Sequence, residues 1–92
     1  MLKKINAGKI ESDEGFFVVI SGPEELKYTK NDRFLFLDWT LNSKNQIISI
    51  YLTDAKSWSG PDRKIITAAE KKEIFNNLSR AVKLLDGEFK II

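Results

Sequence analysis

The sequence predicts an α+β fold. We expect a curved antiparallel sheet of about five or six strands, one long C-terminal amphipathic helix packed on one face, and a short final strand. Short apolar runs separated by turn signals fill the first half of the 92 residues. A capping box at Thr67 and Glu70 precedes a stretch with helical periodicity. A last apolar run follows Gly87. The length and the 42% share of hydrophobic residues predict a single domain, 1–92.

The predicted strands are joined by compact turns, which favours an antiparallel meander. Their ranges are 9–11, 16–20, 26–30, 33–39 and 46–52. The segment Glu11–Gly15 joins the first two strands as a hairpin, because Gly15 is free to adopt positive φ. Gly22-Pro23 and Asn31-Asp32 separate the next strands, and the polar segment 42–45 precedes the last one.

The helix has a predicted beginning and end. Thr67 is the expected N-cap, and Glu70 stands at the third helical position. Apolar residues then recur at helical spacing, at Ile74, Phe75, Leu78, Ala81, Val82 and Leu85. Gly87 is expected to end the helix after about nineteen residues, and 88–92 returns as the final strand.

The predicted sheet has more apolar surface than one helix can cover. The segments 16–20, 33–39 and 47–52 carry large apolar side chains on both faces. The second face must be covered by sheet curvature, by the long connection 53–66 or by another chain. This excess favours a partner-binding protein or a homodimer. Segment 64–66 can add a short strand pairing before the helix.

The composition removes several classes of function. Cysteine and histidine are both absent, which excludes disulfides, Ser-His-Asp and Cys-His catalysis and the usual zinc sites. A net charge of +2 without a long basic run does not indicate nucleic acid. No apolar segment reaches the length of a membrane span, and the first residues lack the apolar region of a secretory signal. We expect a cytoplasmic, non-enzymatic binding protein without metal or cofactor.

Asp38 and Asp54 are the candidates for catalytic chemistry. They lie at the ends of consecutive predicted strands, beside Trp39 and Trp58. Paired carboxylates perform acid–base catalysis when they share a cleft. Isolated acids more often cap turns or face solvent, and no metal-ligand spacing accompanies these two. The sequence therefore favours the structural interpretation.

The two tryptophans have different expected roles. Trp39 ends an apolar strand and is predicted to lie in the core. Trp58 stands in the segment Lys56–Pro61, which is rich in small residues. Its ring either plugs the edge of the sheet or projects as a binding anchor. The sequence favours the plug and leaves the anchor open.

An aromatic-basic surface for single-stranded nucleic acid is an alternative function. The residues that can form it are Arg33, Tyr51, Lys56, Trp58, Arg63 and Lys64. Stacking requires aromatic rings exposed on a sheet face beside Lys or Arg. No RNP, KH or dsRBD signature is present, and solvated loop charges are the commoner explanation.

Several short motifs occur in a fixed order between residues 8 and 92. They are Gly22-Pro23-x-x-Leu26-x-Tyr28, Ile50-Tyr51, Trp58-x-x-Pro61, Ile66-Thr67-x-x-Glu70, Ile74-x-x-Asn77-Leu78-x-x-Ala81 and Gly87-Glu88-Phe89-x-Ile91. Together they resemble a family of small immunity proteins from bacterial polymorphic toxin and contact-dependent inhibition systems. The resemblance implies a cytoplasmic antitoxin that binds one cognate toxin domain and neutralises it without catalysis.

The resemblance does not specify toxin contacts, so we predict them from surface features. They are Glu11, Asp13, Glu14, Trp39, Asp54 and Trp58. Acidic residues in a turn attract a basic partner. A pI near 8.9 argues against overall charge mimicry of nucleic acid, which leaves an acidic or neutral toxin, or an acidic turn that acts locally.

Overall fold

The computed structural model describes residues 2–6, 8–85 and 87–92. This part of the chain forms one curled, seven-stranded mixed sheet and one helix. The elements are β1 (Leu2–Asn6), β2 (Lys9–Ser12), β3 (Phe16–Gly22), β4 (Glu25–Lys30), β5 (Arg33–Leu41), β6 (Ile47–Ile50), α1 (Ala68–Val82) and β7 (Glu88–Ile91). The strands lie in chain order across the sheet, antiparallel from β1 to β6 and parallel between β6 and β7.

The α+β prediction is confirmed at this level, with two corrections to the sheet. The sheet is larger than five or six strands, because Leu2–Asn6 adds an edge strand beside β2. The last four residues of this strand are exposed, so its sequence lacks the alternation of apolar and polar residues that predicts a half-buried strand. The final strand is also parallel rather than antiparallel, because α1 carries the chain back before β7 begins.

The core lies between the concave face of the sheet and α1. Tyr28 stands at its centre, with ring centroids of Phe16 and Trp58 at 6.0 and 6.4 Å. The buried Asn77 amide of α1 donates a hydrogen bond of 2.9 Å to the Tyr28 hydroxyl. Burial raises the pKa of Tyr28 to about 12. One polar contact therefore fixes the helix to the middle of an otherwise apolar core.

The helix begins where the capping box predicts and ends earlier than expected. The Glu70 backbone N–H donates to Thr67 Oγ1 at 3.1 Å, and the Thr67 N–H donates to Glu70 Oε1 at 3.0 Å. The helix stops at Val82, and Gly87 adopts its positive φ of 109° in the turn that enters β7. The predicted apolar stripe is buried except for Phe75, which lies at its margin and is 45% exposed.

The connection 53–66 covers the half of β5 that β6 does not reach. Strand β6 pairs only with residues 39–41, whereas Phe34 exchanges backbone hydrogen bonds of 2.9 Å with Ser59 and Gly60. A Cβ at Gly60 would stand 2.5 Å from the Phe34 ring, so the close approach requires glycine. The predicted pairing of 64–66 is confirmed by bonds of 2.8 and 3.0 Å to residues 58 and 56.

Candidate partner-binding surface

A cleft at one end of the sheet gathers several of the predicted residues. We call it the end cleft; its volume is about 380 Å³ and it is lined by Glu24, Asp38, Trp39, Thr40, Tyr51 and Asp54. The turn between β3 and β4 supplies the first residue, the end of β5 supplies the next three, and the chain after β6 supplies the last two. Ladder pairing holds these segments side by side, since the Tyr51 N–H donates to the Asp38 carbonyl at 3.0 Å.

The end cleft concentrates carboxylates that form no ion pair among the described residues. Glu24, Asp38 and Asp54 are exposed, and none of them forms an ion pair with another described residue. No basic residue is among those that line the cleft. In a chain of net charge +2, this end therefore presents a local acidic surface.

Two aromatic side chains lie beside these carboxylates. Trp39 and Tyr51 are both half-buried, and the Tyr51 hydroxyl lies 3.0 Å from Thr40 Oγ1. The Trp39 indole nitrogen is buried without a hydrogen-bond partner, and its ring also lines an apolar cavity of about 260 Å³ beneath it. Trp39 packs against the core and Tyr51 is held by its contact with Thr40, so both rings present ordered apolar area at little entropic cost.

A second feature lies on the convex face of the sheet, which α1 does not cover. We call it the lysine–aromatic patch, and it consists of Lys9, Phe17, Val19, Lys27, Phe34 and Phe36. Lys27 Nζ lies 4.7 Å from the Phe34 ring centroid and 5.7 Å from that of Phe36, which is 42% exposed. Lys9 Nζ lies 5.5 Å from the Phe17 centroid. Ammonium groups thus lie over aromatic rings, a favourable cation–π arrangement.

The predicted acidic contacts Glu11, Asp13 and Glu14 do not line the end cleft. Glu11 is paired with Lys9, at 3.4 Å. Glu14, in the turn between β2 and β3, is bound by the Arg80 guanidinium of α1, and this bond lowers the pKa of the carboxyl. The turn is therefore engaged with the helix of its own chain.

Trp58 is buried against Tyr28, with 3% of its surface exposed, as the plug interpretation requires. Its ring is consequently not available for stacking on a nucleobase. Of the other residues of the alternative surface, Arg63 and Lys64 are exposed, and Lys64 lies 3.7 Å from Asp62. The Trp58 indole is covered, and other residues of this loop face solvent.

Asp38 and Asp54 do share a cleft, which is the condition for paired carboxylates. The other groups there are Glu24, two aromatic rings and the paired hydroxyls of Thr40 and Tyr51. Among the described residues, no group of three or more acidic side chains converges closely enough to hold a metal ion. The arrangement is suited to receive positively charged groups of a partner.

Sequence reasoning missed Thr40 and the whole lysine–aromatic patch. The signal for Thr40 was present, because residues 34, 36, 38 and 40 alternate onto one face of β5. The patch depends on cross-strand register, in which Val19 lies opposite Lys27 and Lys27 lies opposite Phe36. That register becomes visible only after the strands are paired.

Comparisons with known proteins give no match, whether the chain is scanned against family models or searched against curated proteins and solved structures. Within residues 2–6, 8–85 and 87–92, no helix has the length and apolar character that crossing a membrane requires.

Proposed function

We propose that this chain is an immunity protein that neutralises a cognate toxin domain by binding it through the end cleft. The observation that carries the proposal is the joint presence of three uncompensated carboxylates and two ordered aromatic side chains in one cleft. Aromatic anchors supply binding energy, and complementary charge speeds association and selects the partner. The toxin surface that fits is basic, as at the substrate site of an enzyme that acts on nucleic acid.

A chain with a basic pI can inhibit a basic protein when its binding surface is locally acidic. The overall charge of +2 does not describe the end cleft, because its lining carries three carboxylates and no basic residue. Local potential, rather than net charge, governs the encounter of two surfaces. The inhibitor would be cytoplasmic and would act by occlusion, without cofactor or catalysis.

The nucleic-acid alternative is less well supported. Base stacking requires free ring faces, whereas Trp58 is buried and the rings of the lysine–aromatic patch are partly covered by Lys9 and Lys27. The acidic end cleft would also repel a phosphate backbone.

The test uses the C-terminal domain of the protein encoded immediately upstream, which in such systems is the toxin. Binding is measured by calorimetry with the wild type and with Asp38→Lys/Asp54→Lys. We expect the double variant to raise the dissociation constant at least about 100-fold, since each reversal costs at least about one factor of ten.

The matched control is Asp32→Lys/Glu88→Lys, which changes the net charge equally at exposed positions outside the cleft. It should bind the toxin as the wild type does. Equal losses for the two double variants would refute the end cleft as the interface, and absence of wild-type binding would refute the proposed function.

A further inference from the structure

A groove runs between α1 and β7, at the last strand of the sheet. Two hollows of about 350 and 370 Å³ lie along it, and both are lined by Phe75 and Ile91. None of their lining residues belongs to β1–β6, so the hollows lie at the outer margin of the sheet. We call the joined hollows the α1–β7 groove; its walls include Lys71, Lys72, Phe75, Lys83, Phe89 and Ile91.

The outer edge of β7 carries backbone groups without partners. Strand β7 pairs with β6 alone, and the Ile92 N–H donates to the Ile50 carbonyl at 2.8 Å. Successive residues of a strand direct their backbone groups to opposite edges, so those of Phe89 and Ile91 point away from β6. No described residue forms a backbone hydrogen bond with them. Such an edge can pair with one more strand.

The side chains of the same two residues face the groove. Phe89 and Ile91 are half-buried, and Phe75 on the facing side of α1 is 45% exposed. Alternate residues of a strand share a face and stand about 6.6 Å apart. A strand added beside β7 would therefore place every second side chain over apolar surface. The groove offers an extended peptide both backbone hydrogen bonds and hydrophobic contact.

The charged side chains that line the groove are all lysines. They are Lys71, Lys72 and Lys83, and no acidic side chain of a described residue lines it. Lys71 Nζ donates to the Thr53 carbonyl at 3.2 Å, a neutral partner. Lys72 and Lys83 are exposed and form no ion pair with another described residue. The groove is therefore complementary to an acidic occupant.

We propose that the α1–β7 groove binds an extended acidic segment of a partner protein, which adds to the sheet as a further strand beside β7. Lys72 and Lys83 lie about 16 Å apart along the helix, a distance that an extended chain covers in about five residues. The segment that fits carries acidic residues at this spacing, with apolar residues at alternate positions between them.

Amide hydrogen exchange, followed by NMR, tests the strand pairing. In the free protein, the N–H groups of Phe89 and Ile91 should exchange faster than those of Lys90 and Ile92, which point to β6. The probe is a blocked peptide of about seven residues, with aspartate near both ends and valine alternating with serine between them. With a dissociation constant of about 100 µM, about 1 mM peptide should slow exchange at Phe89 and Ile91 roughly tenfold. Unchanged exchange at both would overturn the proposal.

Two matched peptides separate the contributions of charge and backbone. One has lysine in place of aspartate, and the other keeps the acidic sequence with its central amides N-methylated. Neither should protect Phe89 or Ile91. Equal protection by the lysine peptide would overturn the acidic assignment, and equal protection by the methylated peptide would overturn the added strand.

A pair of charge variants tests the lysines. Lys72→Gln/Lys83→Gln should raise the dissociation constant of the acidic peptide about tenfold, because two exposed ion pairs are lost. Lys3→Gln/Arg63→Gln removes the same charge at exposed positions outside the groove and should bind as the wild type does. Equal losses for the two double variants would refute the role of the groove lysines.

The inference stands apart from the proposed function, because the α1–β7 groove and the end cleft share no lining residue. Asp38→Lys/Asp54→Lys should therefore bind the peptide as the wild type does. Peptide binding without toxin binding leaves the groove proposal intact, and toxin binding without peptide binding leaves the inhibitor role intact. Protection of Phe89 and Ile91 that rises with protein concentration alone would identify a second copy as the occupant and overturn the proposal.

Discussion

Replacing Tyr28 by phenylalanine removes a hydroxyl from the centre of the core and leaves the volume nearly unchanged. Tyr28 is fully buried, and its hydroxyl accepts the hydrogen bond of 2.9 Å from Asn77. The variant keeps the Asn77 amide buried but removes this partner, which costs about 1–3 kcal/mol. We expect Tyr28→Phe to lose that much unfolding free energy near neutral pH, as measured by urea titration.

The same variant has a predicted dependence on alkaline pH. Burial raises the pKa of Tyr28 from 10.0 to about 12, because ionisation would place a charge in the core. The unfolded chain releases the proton near its ordinary pKa, whereas the folded chain retains it. The stabilisation is complete below the unfolded pKa and is lost as pH rises through the folded one. Two pKa units correspond to at most about 2.7 kcal/mol.

Urea unfolding of the wild type and Tyr28→Phe at several pH values between about 9 and 12 isolates this effect. Lysines ionise in both proteins, so they cancel in the difference. The advantage of the wild type should shrink steadily across the range. Tyr51→Phe is the control, because its hydroxyl contacts Thr40 near the surface and Tyr28 remains in place. A difference between wild type and Tyr28→Phe that does not change with pH would refute the burial argument.

Two further predictions concern packing, and both are read from urea unfolding. Trp58→Ala should lower the free energy of unfolding by about 3–5 kcal/mol, because it empties the space beside Tyr28. Phe75→Ala, on the exposed margin of α1, should lower it by less than about 1 kcal/mol. Similar losses for the two variants would contradict the assigned burial. Gly60→Ala should lower the free energy of unfolding by roughly 1–3 kcal/mol, because the added Cβ meets the Phe34 ring. Unchanged stability would show that the loop moves freely away from β5.

Local signals predicted the parts of the fold that depend on neighbouring residues. The capping box at Thr67 and Glu70 and the turns at Gly15 and Asn31 rest on contacts within a few residues, and positive φ at both turns is observed. The direction of β7 is different, because it depends on where α1 ends and on which edge of the sheet is free. No short window of sequence contains that information.

The candidate site divides in the same way. Trp39 and Asp54 were predicted contacts, and they meet because the end of β5 and the chain after β6 lie at one end of the sheet. The neutralisation of Glu14 by Arg80 joins residues 66 positions apart in sequence, so composition could not reveal it. The acidic turn therefore looked freer in the sequence than it is in the fold.

The parallel pairing of β7 also sets the order in which a newly made chain can complete its fold. The Ile92 carbonyl accepts hydrogen bonds of 2.8 Å from the N–H groups of both Leu52 and Thr53, and β6 has β7 as its outer neighbour. During synthesis, β1–β6 leave the ribosome before α1 and β7, so the apolar face of the sheet that α1 covers is at first exposed. The meander therefore stays vulnerable to proteases and aggregation until α1 and β7 have also emerged.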